Sequence, residues 1–166
     1  PTRTVADRLT LQRPGRTIEI LHLGAGHTAG DLVVWLPKER IAISGDLVVW
    51  PVPLVGHPQS RVAEWGATLE KLLALDPKVI VPGHGPVLRD DSYPRRMIVL
   101  FATIVAQVRD AAGRGETLEQ ARKSVDLAAQ RKTFAGDSKL RGFFFDRYVA
   151  GPAVESAYAA VQPASP

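Results

Sequence analysis

The chain of 166 residues predicts an α+β fold, with a mainly antiparallel sheet first and helices after it. Three observations carry this. Short β-branched runs fill the first half: Thr17 to Leu23 alternates, with Ile18, Ile20 and His22 on one face, and Leu32 to Leu36 is Val- and Trp-rich. The four-residue turn Pro37–Arg40 after the second run is short enough to imply an antiparallel hairpin with the strand that follows. Beyond about residue 91 the apolar spacing changes to three and four, the period of an amphipathic helix.

Taken in order, Thr4 to Gln12 alternates loosely and Arg13-Pro14-Gly15-Arg16 is a turn signal. After the strands at Thr17–Leu23 and Leu32–Leu36, Pro37-Lys38-Glu39-Arg40 turns the chain into a strand over Ile41–Ser44, ending at Gly45-Asp46. Trp50 to Pro58 holds three prolines and a glycine and reads as a loop. Ser60 is expected to cap a helix whose buried stripe is Val62, Trp65, Leu69, Leu72 and Leu73. Asp76-Pro77 stops that helix, because the residue before proline avoids the helical region. Val79 to Val81 is a short buried strand, followed by a rigid Pro82-Gly83-His84-Gly85-Pro86 loop.

The second half opens with a helix from Tyr93 to Ala112, with Ile98, Phe101, Ile104, Val105 and Val108 inward and Gly113 and Gly115 at its end. Thr117 to Gln120 resembles a capping box opening a helix to about Ala129. Pro152 is expected to open a last helix through Ala160, and Gln162 to Pro166 to fray. With no internal repeat and no linker, residues 1–166 form a single unit: 1–91 sheet and loops, 92–166 helical.

Composition narrows the function. Apolar residues make up 45% and charged residues 23%, a globular balance. The net charge of +4 is scattered, without a basic run or interleaved aromatics, which argues against a nucleic-acid partner. The apolar stretch Met97–Val108 is too short to span a bilayer. There is no cysteine, so any metal must be held by His, Asp or Glu. The chain starts at Pro1 without Met or a signal-like segment, and an upstream part is expected to be missing.

Two of the four histidines sit in glycine-flanked loops after strands, in Gly26-His27-Thr28-Ala29-Gly30-Asp31 and Pro82-Gly83-His84-Gly85, and Asp46 follows Gly45 at another strand end. Imidazole and carboxylate are good zinc ligands. Glycines beside them allow close backbone approach. Singly, each is more often a surface residue than a ligand.

Their order and company decide. The run HLGAGHTAGDLVVWLPKERIAISGDLVV, followed by SRVAEWGATLEKLLALDPKVIVPGHGPV, resembles the metallo-β-lactamase superfamily over about Asp7 to Leu88. It is most similar to a branch of glyoxalase-II-like and sulfur-oxidation-associated hydrolases. The resemblance implies a four-layer αββα sandwich, of which this chain is the C-terminal half. It implies that His27 binds one metal, Asp46 bridges two and His84 binds the second. It implies two zinc ions, with iron or manganese as alternatives, and a metal-bound hydroxide attacking an ester, thioester, lactone or related bond of a small-molecule substrate.

Two departures from the family pattern qualify this. The opening HxHxDH cluster is absent: no two histidines lie two residues apart. The metal site is therefore expected to be incomplete, and the chain alone weakly active or inactive. An excised or proteolytic fragment, one piece of a nicked protein, and a stable half-fold with another role all remain open. The last would be a non-catalytic assembly module whose apolar face, normally covered by the missing half, is covered by self-association. Second, the bridging position in the zinc β-lactamases is usually Cys or Ser, so Asp46 argues for a broader hydrolase role. A phosphodiesterase or nuclease of the same superfamily is a further alternative.

Other residues are read more plainly. Trp50 and His57 are candidates for a substrate pocket, although packing accounts for Trp50 at least as well, and a solvated loop position accounts better for His57, which matches no family ligand. His22 is a strand histidine, Asp31 and Thr28 are turn residues, and Trp35 and Trp65 are core. Phe143-Phe144-Phe145 is core packing of the helices, or a surface for a partner.

Overall fold

A computed structural model describes residues 4–56 and 59–161. Five strands, β1 (Arg8–Arg13), β2 (Arg16–Leu21), β3 (Val33–Leu36), β4 (Ile41–Val49) and β5 (Val79–His84), form one sheet in chain order. The first four are antiparallel, and β5 runs parallel to β4. A parallel neighbour needs a crossover, and α1 (Val62–Ala74) supplies it. The helical part follows as α2 (Ser92–Gly113), α3 (Leu118–Ser124), α4 (Ala128–Ala135), α5 (Lys139–Phe145) and α6 (Gly151–Val161), with a π-helical turn at Asp146–Ala150 joining the last two. The α+β reading and the mainly antiparallel sheet hold, and the parallel β5 makes that sheet mixed.

The helices cover one face of the sheet. Trp65 of α1 is fully buried, stacks on Phe101 of α2 with ring centroids 4.7 Å apart, and donates its Nε1–H to the Leu47 carbonyl at 3.1 Å. Trp35, Ala42 and Ile80 meet this core from the sheet, so Trp35 and Trp65 are core as expected. The register places Leu9, Leu11, Ile18, Ile20, Val34, Leu36, Ile41, Ile43, Val79 and Val81 on the opposite face. All ten are apolar and none is fully buried. Ile43 is 39% exposed.

Several boundaries differ from expectation, each for a tertiary reason. Strand β4 runs on to Val49 because Gly45, at φ 51°, absorbs a bulge instead of ending the strand, and Leu47, Val48 and Val49 are buried beyond it. Strand β5 likewise continues through His84, which pairs with Val49. The capping box at Thr117 forms as expected, but α3 stops at Ser124. There the side-chain amide of Gln107 on α2 grips the backbone of Asp126, accepting from its N–H and donating to its carbonyl, both at 2.8 Å. The expected single helix to Ala129 is thus two helices.

Ser60 does not cap α1. Its hydroxyl donates to the His27 carbonyl at 2.8 Å. The N–H of Val62 finds its acceptor in Ser156 of α6, at 3.2 Å, and Ser156 in turn donates to the Ser60 carbonyl at 2.7 Å. Nor does Pro152 open a helix: it lies one residue inside α6, directly after the π turn. Proline cannot donate to the carbonyl four residues back. That carbonyl, on Tyr148, accepts from the Val55 N–H of the proline-rich loop at 2.9 Å. The missing helical bond becomes a tether between the helical part and the loop beside the candidate site. The expected frayed end, Gln162–Pro166, lies outside the described residues.

Candidate metal centre

The loop carrying His27 is held from above by α1. Three successive carbonyls are each gripped: Ala25 by the Thr68 hydroxyl at 2.6 Å, Gly26 by the Arg61 N–H at 2.8 Å, and His27 by Ser60. Below, the Asp31 carboxylate accepts from the Thr28 N–H at 3.1 Å and the Thr28 hydroxyl at 2.7 Å, closing the turn. Asp31 and Thr28 therefore shape the loop. Gly26 is required here, since a β-carbon would lie 2.6 Å from Leu47 and 2.9 Å from Trp65.

The imidazole of His27 is oriented through its Nδ1. Its Nδ1 lies 2.8 Å from the Leu54 carbonyl. A carbonyl only accepts, so Nδ1 carries the proton, and Nε2 of the neutral ring presents its lone pair. That Nε2 faces Oδ2 of Asp46 at 3.7 Å, while Nε2 of His84 faces the other oxygen, Oδ1, at 3.6 Å. The edge of the Trp65 indole packs against the His27 ring, 6.0 Å between centroids. Of the two histidine side chains His27 is nearly buried, at 14% exposed, and His84 is open, at 66%.

The fold thus brings the three expected residues together from three elements: the β2–β3 loop, the bulged β4 and the end of β5. The arrangement is a carboxylate with one imidazole at each oxygen. These N···O separations match two ligands of one ion better than a direct hydrogen bond: metal–ligand bonds of about 2.0–2.2 Å at a wide angle span such a gap. Among the described residues no three His, Cys, Asp or Glu side chains converge on a single point able to hold an ion. A single ion held by all three side chains is thus not what this arrangement offers.

The PGHG loop is built around these contacts. A β-carbon on Gly83 would lie 2.0 Å from Asp46 Oδ1, and one on Gly85, at φ 99°, would lie 2.6 Å from the Trp50 β-carbon. The Trp50 N–H donates to the His84 carbonyl at 3.1 Å. Trp50 and His84 together line a cavity of about 270 Å³, closed by Pro51, Leu54, Phe144 and Tyr148. Trp50 is thus beside the candidate site, while His57 lies outside the described residues. His22, just beyond β2, points its Nδ1 to the Asp31 carbonyl at 3.0 Å, away from Asp46.

The sequence did not single out Thr68 or Tyr148, and it read Phe144 as core or partner surface, not as a pocket wall. Thr68 had a signal: a small polar residue on the apolar stripe of α1, now 2% exposed. The Phe cluster divides three ways. Phe145 is core, Phe144 walls the cavity, and Phe143 is 58% exposed.

Comparison with known proteins identifies the family of the sheet. Over 89 residues the chain is 33% identical to a metallo-β-lactamase type 2 of Bacteroides fragilis, covering 51% of this chain and 36% of that protein. Over 115 residues it is 26% identical to a linear primary-alkylsulfatase of Pseudomonas sp. (strain ATCC 19151), covering 66% of this chain and 22% of that one. Among solved structures, a metallo-β-lactamase from Pontibacter korlensis superposes with a TM-score of 0.55 at 29% identity, covering 61% of this chain and 49% of the other. The metallo-β-lactamase DIM-1 gives 0.52 at 26% identity, covering 59% and 46%. The chain thus spans about a third to a half of the first curated relative and of these solved structures. The family model for the metallo-beta-lactamase superfamily matches residues 1–84, about half of the sequence and all of the sheet with its three candidate ligands, and the chain belongs to that superfamily.

Proposed function

We propose that this chain is the C-terminal half of a metal-dependent hydrolase, with His27 and His84 each binding one ion and Asp46 bridging the two. The observation that carries this reading is the carboxylate of Asp46 with a different histidine Nε2 at each oxygen. Zinc is the default for imidazole and carboxylate ligands, with iron or manganese compatible. Two bound ions supply Lewis acidity and a water of lowered pKa. The chain's own contribution is positional. The Leu54 carbonyl holds the His27 tautomer, Gly83 leaves room for Asp46, and Trp50 and its neighbours exclude water from one side of the reacting group.

The substrate we infer is a small molecule with an ester, thioester or lactone bond. Asp46, instead of the Cys or Ser of the zinc β-lactamases, favours the glyoxalase-II-like and sulfur-oxidation-associated branch. The remaining ligands would come from a second half, and the uncovered apolar sheet face supports such a partner. Self-association through the same face is the reading in which the chain is an assembly module instead.

Equilibrium dialysis against zinc, read by elemental mass spectrometry, tests the reading. The wild-type chain should take up more zinc than either His27→Ala or His84→Ala, and Asp46→Ala should take up least. Equal uptake by all four proteins would refute the assignment.

A further inference from the structure

The cavity beside His84 has a chemical character that narrows the substrate. Its wall is aromatic and proline-rich, and two guanidinium groups lie over that wall. The Arg141 guanidinium sits 4.8 Å above the Trp50 ring, and that of Arg147 lies 5.7 Å from the Tyr148 ring centre. Both arginines are exposed. Elsewhere in the helical part Arg95, Arg114, Arg122 and Arg131 are paired with Asp91, Glu116, Glu155 and Asp146, while Arg96 lies over the Tyr93 ring, away from this cavity. Among the described residues Arg141 and Arg147 have no carboxylate within ion-pair distance. Their charge is therefore uncompensated at the rim of an apolar cavity that opens beside His84.

We propose that this cavity binds an anionic substrate with a compact apolar body, and that Arg141 is the residue that selects the negative charge. The inference rests on the metal-site reading for the identity of the reacting end, since it takes His84 to mark that end. The apolar body would lie between Trp50, Phe144 and Tyr148. Its carboxylate or similar anion would meet the Arg141 guanidinium, which lies over the indole at the rim and offers a planar fork for a bidentate contact. A volume of about 270 Å³ suits a body of phenyl size better than a long chain. Arg141 acts here as a specificity residue; the bond-breaking chemistry does not pass through it.

The test is a binding titration of the full chain by NMR, following the indole N–H signals, with phenylacetate and its uncharged match phenylacetamide as probes. Phenylacetate is expected to bind about fivefold more tightly, the size of a partly solvent-screened ion pair. Arg141→Gln should abolish that preference, and Arg141→Lys, which keeps the charge but not the planar fork, should restore only part of it. Running each titration with and without EDTA separates the two readings. A preference that survives EDTA and depends on Arg141 supports the proposal, whether or not zinc binds. A preference that disappears with EDTA assigns the anion to the metal ions and overturns the role of Arg141. Equal binding of the two probes, no binding of either, or a preference untouched by Arg141→Gln also overturns it.

Discussion

A β-carbon on Gly83 would lie 2.0 Å from Oδ1 of Asp46, the oxygen that faces His84. The first glycine of the PGHG loop thus serves the carboxylate on the neighbouring strand as much as its own histidine. That β-carbon would also lie 2.8 Å from the Gly45 carbonyl carbon, so relief requires backbone movement in the bulge. Gly83→Ala is expected to destabilise the chain by about 1–3 kcal/mol, the usual cost of overpacking. Zinc uptake should fall to the level of Asp46→Ala. Urea denaturation and elemental analysis on the same preparation check both.

Trp65 joins the core to the metal loop. It stacks on Phe101, touches the His27 ring and donates to the Leu47 carbonyl inside β4. Trp65→Phe keeps an aromatic ring but removes the buried donor and leaves a gap. We expect a loss of about 2 kcal/mol in urea-derived stability. Zinc affinity should drop with it, because the His27 ring loses its packing partner. Unchanged zinc affinity in a destabilised variant would separate the two roles.

Ser156 on α6 completes the start of α1 across 94 residues of sequence. Ser156→Ala removes the acceptor for the Val62 N–H and the donor to the Ser60 carbonyl. The expected cost is about 1 kcal/mol, that of a lost helix cap. Chemical denaturation should show a lower midpoint with an unchanged slope.

Tyr93 is 3% exposed and its hydroxyl donates to the Val49 carbonyl at 2.5 Å. Burial pushes the phenol's pKa well above its ordinary value near 10. Below pH 10 both folded and unfolded chains keep the proton and the contribution is complete. Above it the unfolded phenol ionises while the folded one does not, so stability falls as pH rises. Denaturation between pH 9 and 11 should show this slope, reduced in Tyr93→Phe. Ultraviolet titration of the folded chain should leave Tyr93 unionised.

The local pattern carried much of this protein. Alternation in Thr17–Leu23 and the Val-rich run before Pro37 marked strands because a pleated, half-buried ribbon needs that period. The glycines around His27 and His84 marked loops for close approach, and the order of the three motifs marked the family. What only the tertiary structure decided lies where one segment supplies another's missing partner. Gln107 ends α3, Ser156 caps α1, and the Tyr148 carbonyl freed by Pro152 takes the Val55 N–H. Nothing within a few residues of these positions signals the outcome, because each hydrogen bond joins residues many positions apart. The same holds for the cavity wall: Trp50 stood out as an aromatic in a proline loop. Phe144, Tyr148 and Arg141 reach it only because the helical part folds back over that loop and satisfies a backbone donor there.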